Sequence, residues 1–277
     1  PVFAIRLASG RVIRATGQHR LFAARGWSRV SELSVGDRVA IARRLPEPLF
    51  PDCWSDLRVA LLGHLIGDGS YLVSQPLRYT TSSEENSRLV SEAAREEFGC
   101  EVKRYRGRRS WHQLLISGNG DRWRPLGVNR WLRELGVFGQ RSYEKRIPAS
   151  VFRLPNDHIA LLLRHLWATD GTIVTRTRGR GSQGVSYSTN SPGLAGDVAA
   201  LLLRLGIVAR ISSARKGDYR PTFFVTVSGG SDQGRFLQVV GVFGPRIPQA
   251  ERLAAALAAH KLNTNVDTLP REDFERV

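Results

Sequence analysis

The stretch Leu61-Leu62-Gly63-His64-Leu65-Ile66-Gly67-Asp68-Gly69 is an apolar run closed by a carboxylate and a glycine, and it recurs as Leu163-Arg164-His165-Leu166-Trp167-Ala168-Thr169-Asp170-Gly171. Each copy follows a helix-start signal, Ser55-Asp56 in the first and Asn156-Asp157 in the second. Each ends on a glycine suited to the left-handed residue beyond a helix. Leu57, Ala60, Leu61, His64 and Leu65 line one face of the first helix, and Val59, Leu62, Gly63 and Ile66 line another. A helix apolar nearly all round has to be buried and needs partners on several sides. Its own repeat is the obvious partner, and packing the two side by side would bring Asp68 and Asp170 together at one end.

The segments around these helices repeat in the same order, roughly a hundred residues apart. Tyr79-Thr80-Thr81-Ser82 is echoed by Tyr187-Ser188-Thr189-Asn190, and each opens a helix, over 86–98 and 192–205. Strands are predicted over 100–106 and 111–117 in the first half and over 207–214 and 222–228 in the second. The run from Trp131 to Gly139 is matched by that from Phe236 to Gly244, and Arg146-Ile147-Pro148 by Arg246-Ile247-Pro248. The expected fold is therefore α+β: a tandem, pseudo-two-fold repeat of a helix-strand-strand-helix-strand-strand-helix unit, over residues 52–150 and 151–262. Residues 1–45 read as a small all-β segment, with a hairpin over 2–16 turning at Ser9-Gly10 and a strand after Gly36-Asp37. Pro46, Pro48 and Pro51 mark residues 46–51 as a linker. Residues 263–277 read as a return segment.

The 277 residues carry a formal charge of +16 and a pI near 11.1, and Lys103, Lys145, Lys216 and Lys261 are the only lysines among 41 basic residues. GC-rich coding enriches arginine, but it does not by itself leave acids so outnumbered. Arginine's planar fork suits phosphates and guanine edges, so a polyanionic partner is expected. Cys53 and Cys100 are too few for a structural zinc site and read as ordinary thiols. His64, His112, His158, His165 and His260 stand in no ligand spacing and read as structural. No apolar run is long enough for a membrane span, and the absence of any methionine suggests a segment of a longer translation product.

With Asp68 and Asp170 set in this repeat, the chain resembles the single-chain LAGLIDADG homing endonucleases, the first nonapeptide matching well and the second more loosely. The first 45 residues resemble the Hint splicing domain of inteins: Thr16-Gly17-Gln18-His19 fits a Thr-x-x-His element, and Gly-Trp, Glu-Leu and Gly-Asp phrases follow it. The two resemblances together imply an intein-borne endonuclease and span nearly the whole chain. They imply a monomer that cuts both strands of a long, asymmetric DNA site with Mg²⁺, for which Mn²⁺ substitutes, in a prokaryotic cytoplasm at the nucleoid. One Asp would serve each strand, with the carbonyls of Gly67 and Thr169 also reaching metal. Lys145, in Lys145-Arg146-Ile147-Pro148, would stabilise the phosphate or polarise the water.

The chain departs from the family pattern at several points. Small residues are usual at the third and seventh motif positions, where the second copy has His165 and Thr169. The second repeat has Pro245 where Lys145 stands in the first, so that role is empty or falls to Lys216 or Arg246. The chain begins at Pro1 and lacks a closing His-Asn pair, so self-splicing is not expected of it, and Thr16 and His19 read as a splicing remnant.

Phosphodiester hydrolysis needs a nucleophilic water and charge neutralisation at the phosphate, both within reach of a hard cation on oxygen ligands. Two carboxylates at helix C-termini would repel each other without one. A single Asp-Gly is ordinarily a helix-ending turn; two at equivalent points of a repeat in so basic a chain point to a site. The paired strands should form a DNA-facing saddle, with every second residue on the DNA side. The candidates there are Arg78, Lys103, Arg104, Arg106, Arg108 and Arg109 in the first half, and Arg176, Arg178, Arg180, Arg210, Arg215, Lys216 and Arg220 in the second. Two rival readings use the same residues: a catalytically degenerate DNA-binding protein or RNA maturase, and, more weakly, an aspartic protease.

Overall fold

A computed structural model describes residues 1–24, 26–107, 110–175 and 184–259. Its centre is the pair of motif helices, α1 (Asp56–Asp68) and α4 (Asn156–Asp170), packed along their length. Leu61, Leu62, Leu65 and Ile66 of α1 and Leu162, Leu163, Leu166 and Trp167 of α4 are buried, as the all-round apolar pattern requires. The close approach rests on glycine. A Cβ at Gly63 would fall 2.9 Å from the Leu162 carbonyl oxygen, and one at Gly67 would fall 2.0 Å from Thr169 Oγ1. The glycines of α1 thus make room for His165 and Thr169 of α4.

The remaining elements follow the repeat. In the first half α1 leads into β5 (Gly69–Ser70), β6 (Leu77–Thr81), α2 (Glu84–Phe98), β7 (Glu101–Arg106), β8 (His112–Ser117) and α3 (Gly127–Glu134). In the second, α4 leads into β9 (Gly171–Val174), β10 (Gly184–Thr189), α5 (Pro192–Arg204), β11 (Ala209–Ala214), β12 (Thr222–Val227) and α6 (Gly230–Val239). The two antiparallel sheets have matching orders, β5-β6-β8-β7 and β9-β10-β12-β11. Register fixes which side of each sheet faces the helices. Leu77, Tyr79, Leu114 and Ile116 face inward in the first sheet, and Ile173, Val185, Tyr187, Val225 and Val227 in the second, leaving the alternate residues on an open face. A last helix, α7 (Ile247–Ala259), starts where the sequence pattern showed only the Arg246-Ile247-Pro248 echo.

Two local expectations are corrected. Gly69 and Gly171 are extended, at φ −77° and −75°, and not left-handed, because each motif helix runs straight into a strand with no intervening turn. Glycine is needed there for space: a Cβ at Gly69 would lie 2.4 Å from the Leu65 carbonyl oxygen, and one at Gly171 2.4 Å from that of Trp167. Ser55 caps α1 as its sequence suggests, accepting from Arg58 N. Asn156, by contrast, is the first residue of α4, and its N–H donates to Glu47 Oε1 of the proline-rich stretch before α1.

The first fifty residues hold β1 (Val2–Arg6), β2 (Val12–Thr16), β3 (Arg20–Ala23) and β4 (Gly26–Arg29), in two separate hairpins. The strand expected after Gly36-Asp37 is reduced to one bridge, Val39 to Ala23. Val30 is the one large hydrophobic buried here among the described residues, while Val2, Phe3, Val12, Phe22, Trp27, Val35, Leu49 and Phe50 are exposed. The tip of the first hairpin docks on the second repeat: Ile211 N donates to Ser9 O at 2.8 Å, and Arg11 Nη2 to Ala199 O at 2.8 Å.

Candidate active site

Asp68 and Asp170 are the last residues of α1 and α4, so the packing of the two helices carries both carboxylates to one end of the seam. Partial burial pushes the Asp68 carboxyl up to about 7, the charge of Asp170 pushes in the same direction, and Lys145 and Arg246 oppose both. The Asp170 carboxyl is raised as well, chiefly by desolvation, although one side of the residue stays open to solvent. Carboxylates at helix C-termini also meet the negative end of the dipole. Every local influence but the two cations disfavours a pair of negative charges here.

The cations come from two loops that occupy corresponding places. Lys145 is buried at 8% exposure, and its Nζ donates to the carbonyls of Gly67 at 2.8 Å and Gly69 at 2.9 Å, at the C-terminus of α1. Burial lowers its ammonium to about 8, and the charges of Asp170 and Asp68 pull the other way. Arg246 does the same for α4, with Nη2 donating to Thr169 O at 2.9 Å and Nε to Trp167 O at 3.4 Å. Arg246 therefore stands at the second helix end, while Lys216 lies exposed in the turn between β11 and β12. The carbonyls of Gly67 and Thr169, expected as metal ligands, each accept one hydrogen bond from these two side chains. A cation here would rest on the two carboxylates, and among the described residues no cluster of three or more His, Cys, Asp or Glu could add to them.

Each cation-bearing loop is seated on the opposite repeat. Ser191 Oγ, at the start of α5, donates to Lys145 O at 2.7 Å, and Arg146 forms a two-pronged ion pair with Asp197 of α5 at 2.7 and 2.8 Å. The Arg220 guanidinium lies over the Tyr143 ring, 3.5 Å from its centre. Asn86 of α2 reaches the other way, donating to Ala168 O of α4 at 3.2 Å. Beneath the site, His64 and His165 bridge the seam, with His64 Nε2 to His165 Nδ1 at 3.1 Å and His64 Nδ1 to Tyr79 OH at 2.9 Å. Burial holds both imidazoles neutral: His64 titrates well below its ordinary value and His165 near 4.

The saddle candidates divide by register. Arg78 and Lys103 share the open face of the first sheet with Thr80, Gln113 and Leu115. Arg210 holds the corresponding place in the second sheet, opposite Thr226. Arg104 and Arg106 face the other way, because they alternate with Lys103 and share the side of Val102 and His112. Arg104 is bound to Glu84 at the start of α2, at 2.7 and 2.6 Å, so it is removed from the open face. Arg215, Lys216 and Arg220 are exposed around the β11–β12 turn. Arg108, Arg109, Arg176, Arg178 and Arg180 lie outside the described residues. Thr16 and His19 are in the N-terminal hairpins, with His19 exposed and far in the chain from either carboxylate.

A motif helix ending in a carboxylate, followed by an antiparallel sheet with one open face, thus occurs twice in this chain. Residues 157–241 match the LAGLIDADG-like domain. The first repeat shares the element order of this second, matched one. Among curated proteins, the replicative DNA helicase DnaB of Rhodothermus marinus is 40% identical over 98% of this chain and 29% of its own length. Protein RecA of Mycobacterium tuberculosis is 29% identical over 88% of this chain and 32% of its own length. The chain thus spans about a third of the length of these relatives. Of solved structures, I-DmoI in complex with DNA and Mn superposes with a TM-score of 0.44 at 14% identity, covering 67% of this chain and 96% of that one. Full-length DUF199/WhiA from Thermatoga maritima gives 0.46 at 14% identity, covering 81% and 67%.

Proposed function

We propose that the chain is a site-specific double-strand DNA endonuclease carried as an intein-type insertion, hydrolysing phosphodiesters with a divalent cation at Asp68 and Asp170. The observation that carries this reading is the meeting of the two carboxylates at the C-termini of α1 and α4, beneath Lys145 and Arg246. Their donor set fits Mg²⁺, which ordinarily takes one or two carboxylates and fills its shell with water and phosphate oxygens. Such an ion supplies an activated water and offsets charge at the phosphate. Asp68 and Asp170 would hold it, and both carboxyls would ionise more readily with a cation beside them. Lys145 and Arg246, anchored on helix-end carbonyls, would keep positive charge at the two sides of the site where phosphates enter. Arg78, Lys103 and Arg210 on the open faces would carry the duplex to it.

The insertion reading is supported by the alignments. One segment matches a replicative DNA helicase and Protein RecA over most of its own length, yet makes up only about a third of each. A module shared by proteins of such different names behaves as an insert. Residues 1–45, with their two hairpins, would belong to its splicing part.

One observation favours a second reading, a DNA-binding protein without cleavage or an RNA maturase: the Gly67 and Thr169 carbonyls each already accept a hydrogen bond from a cationic side chain. The decisive experiment offers the chain a duplex made by joining the sequences that flank the segment in its host gene, with Mg²⁺ or Mn²⁺. Double-strand cleavage is expected, lost in Asp68→Asn and in Asp170→Asn while binding persists. Full cleavage by the doubly substituted chain would sink the endonuclease reading. Binding without cleavage by the unsubstituted chain would establish the second.

A further inference from the structure

We propose that residues 118–126 form an accessory DNA contact that the first repeat has and the second lacks, with Trp123 as its stacking element. The inference rests on the DNA-binding reading above and extends it to a surface outside the two open faces. It begins with a mismatch between the repeats. In the second, Ser228 and Gly229 alone join β12 to α6; in the first, residues 118–126 join β8 to α3. The fold closes with the short connection; in the longer one Asn119 is buried and donates to Ile116 O, while residues 121–124 are exposed and add nothing to the packing.

The added loop is nonetheless firmly shaped. Asp121 Oδ1 accepts from Trp123 N at 2.7 Å and from Arg124 N at 2.8 Å, and Leu126 N donates to Asn119 O at 2.8 Å. Gly120 takes φ +66°, and a Cβ there would fall 2.1 Å from the Arg124 carbonyl oxygen. This turn turns the Asp121 charge onto the loop's own amides and presents Arg122-Trp123-Arg124 to solvent. Trp123 is 84% exposed, with the Arg122 guanidinium 5.3 Å from its ring centre. Among the described residues neither Arg122 nor Arg124 is in an ion pair.

A large indole held in water by an ordered turn is a binding element in waiting. Two flanking arginines on a chain of charge +16 select a polyanion over an apolar protein surface. Aromatic and guanidinium groups together suit a nucleic acid, the ring lying against a sugar or an unstacked base and the arginines on phosphates. The loop also adjoins the end of the first sheet. A cavity of about 330 Å³ beside it is lined by Arg122, Asn119, Gln75 and Asn129, by Leu115 and Ser117 of β8, and by Leu77 and Ile116 of the inner side, so that both faces of the sheet contribute. Leu115 lies on the same face as Arg78 and Lys103.

The test uses the whole chain and a fluorescein-labelled duplex of mixed sequence, read by anisotropy across a salt series. Trp123→Ala should weaken binding about five- to tenfold, with Trp123→Phe retaining most of the affinity. The melting temperature should not move, since the side chain supports nothing in the fold. Replacing Arg122 and Arg124 together by Ala should lower the salt slope by about two, whereas Trp123→Ala should leave the slope unchanged. If the unsubstituted chain binds and Trp123→Ala binds equally well, the inference fails. If the unsubstituted chain binds no DNA, the functional reading fails with it.

Discussion

The two repeats share an element order and the Asp-Gly that ends each motif helix, and differ at most of the other side chains at their junction. Gly63 and Gly67 in α1 face His165 and Thr169 in α4, so one helix supplies the hollow and the other fills it. At the helix ends Lys145 faces the first half and Arg246 the second, a titratable cation against a permanent one. Tyr79 hands its hydroxyl to His64, while its counterpart Tyr187, with Leu166 in the place of that histidine, has a buried hydroxyl without a partner among the described residues. Pseudo-symmetry here is a symmetry of backbone. The side chains are complementary, and what one half lacks the other supplies.

That complementarity can be broken in graded ways. The largest effect is expected at the carboxylates: Asp68→Asn or Asp170→Asn should reduce double-strand cleavage by several orders of magnitude, leaving at most nicked product on a gel. Next is the hollow. Gly67→Ala should destabilise the fold by about 1–3 kcal/mol through overpacking against Thr169, and Thr169→Gly in the same chain should recover most of the loss. Urea unfolding of the unsubstituted chain, the two single variants and the double measures the coupling, and simple additivity would refute the close contact.

A smaller effect concerns pH. The Asp68 carboxyl is raised in the fold, so its ionisation works against folding, and metal-free stability should fall as pH rises from about 4 to about 7. Asp68→Asn should remove this loss, and Mg²⁺ should oppose it. The histidine pair acts in the other sense. With His165 lowered to about 4, its stabilisation is full above the ordinary histidine value and drains away as pH falls toward 4. Thermal melts of His165→Gln across that window check the sign. The smallest effect separates the two faces of β7: Lys103→Ala should lower the salt slope of DNA binding by about one, and Arg104→Ala should not, because Arg104 is spent on Glu84.

Much of this was legible in the residues. The doubled apolar run announces two buried helices, and their shared terminal Asp places the carboxylates, because helix pairing is dictated by which faces must leave water. The roles of Gly63 and Gly67 follow from the bulk of His165 and Thr169. The face of Arg104 was also readable: Val102 is the apolar marker of β7, and period-two alternation puts Arg104 and Arg106 on its side. Other features were not local enough to read. Arg246 was one of two candidates in the sequence for the place opposite Lys145, and only the long-range placement of its loop decides between it and Lys216, while Glu47 caps α4 across more than a hundred residues. The φ of Gly69 and Gly171 depends on a strand beginning at once, where a glycine after a helix more often signals a left-handed turn.

The crossed seating of the loops bears on how the molecule is assembled from its parts. The loop of Lys145 is fastened to Ser191 and Asp197 of the second repeat, and α2 of the first is fastened to Ala168 of the second. Severing the chain between the repeats would leave each fragment with a glycine-lined or apolar helix exposed, and would strip the Lys145 loop of its seat on Ser191 and Asp197. Neither fragment is then a self-sufficient folding unit. Expressed separately they should be insoluble or unfolded, and mixed they should reconstitute one another as an obligate heterodimer.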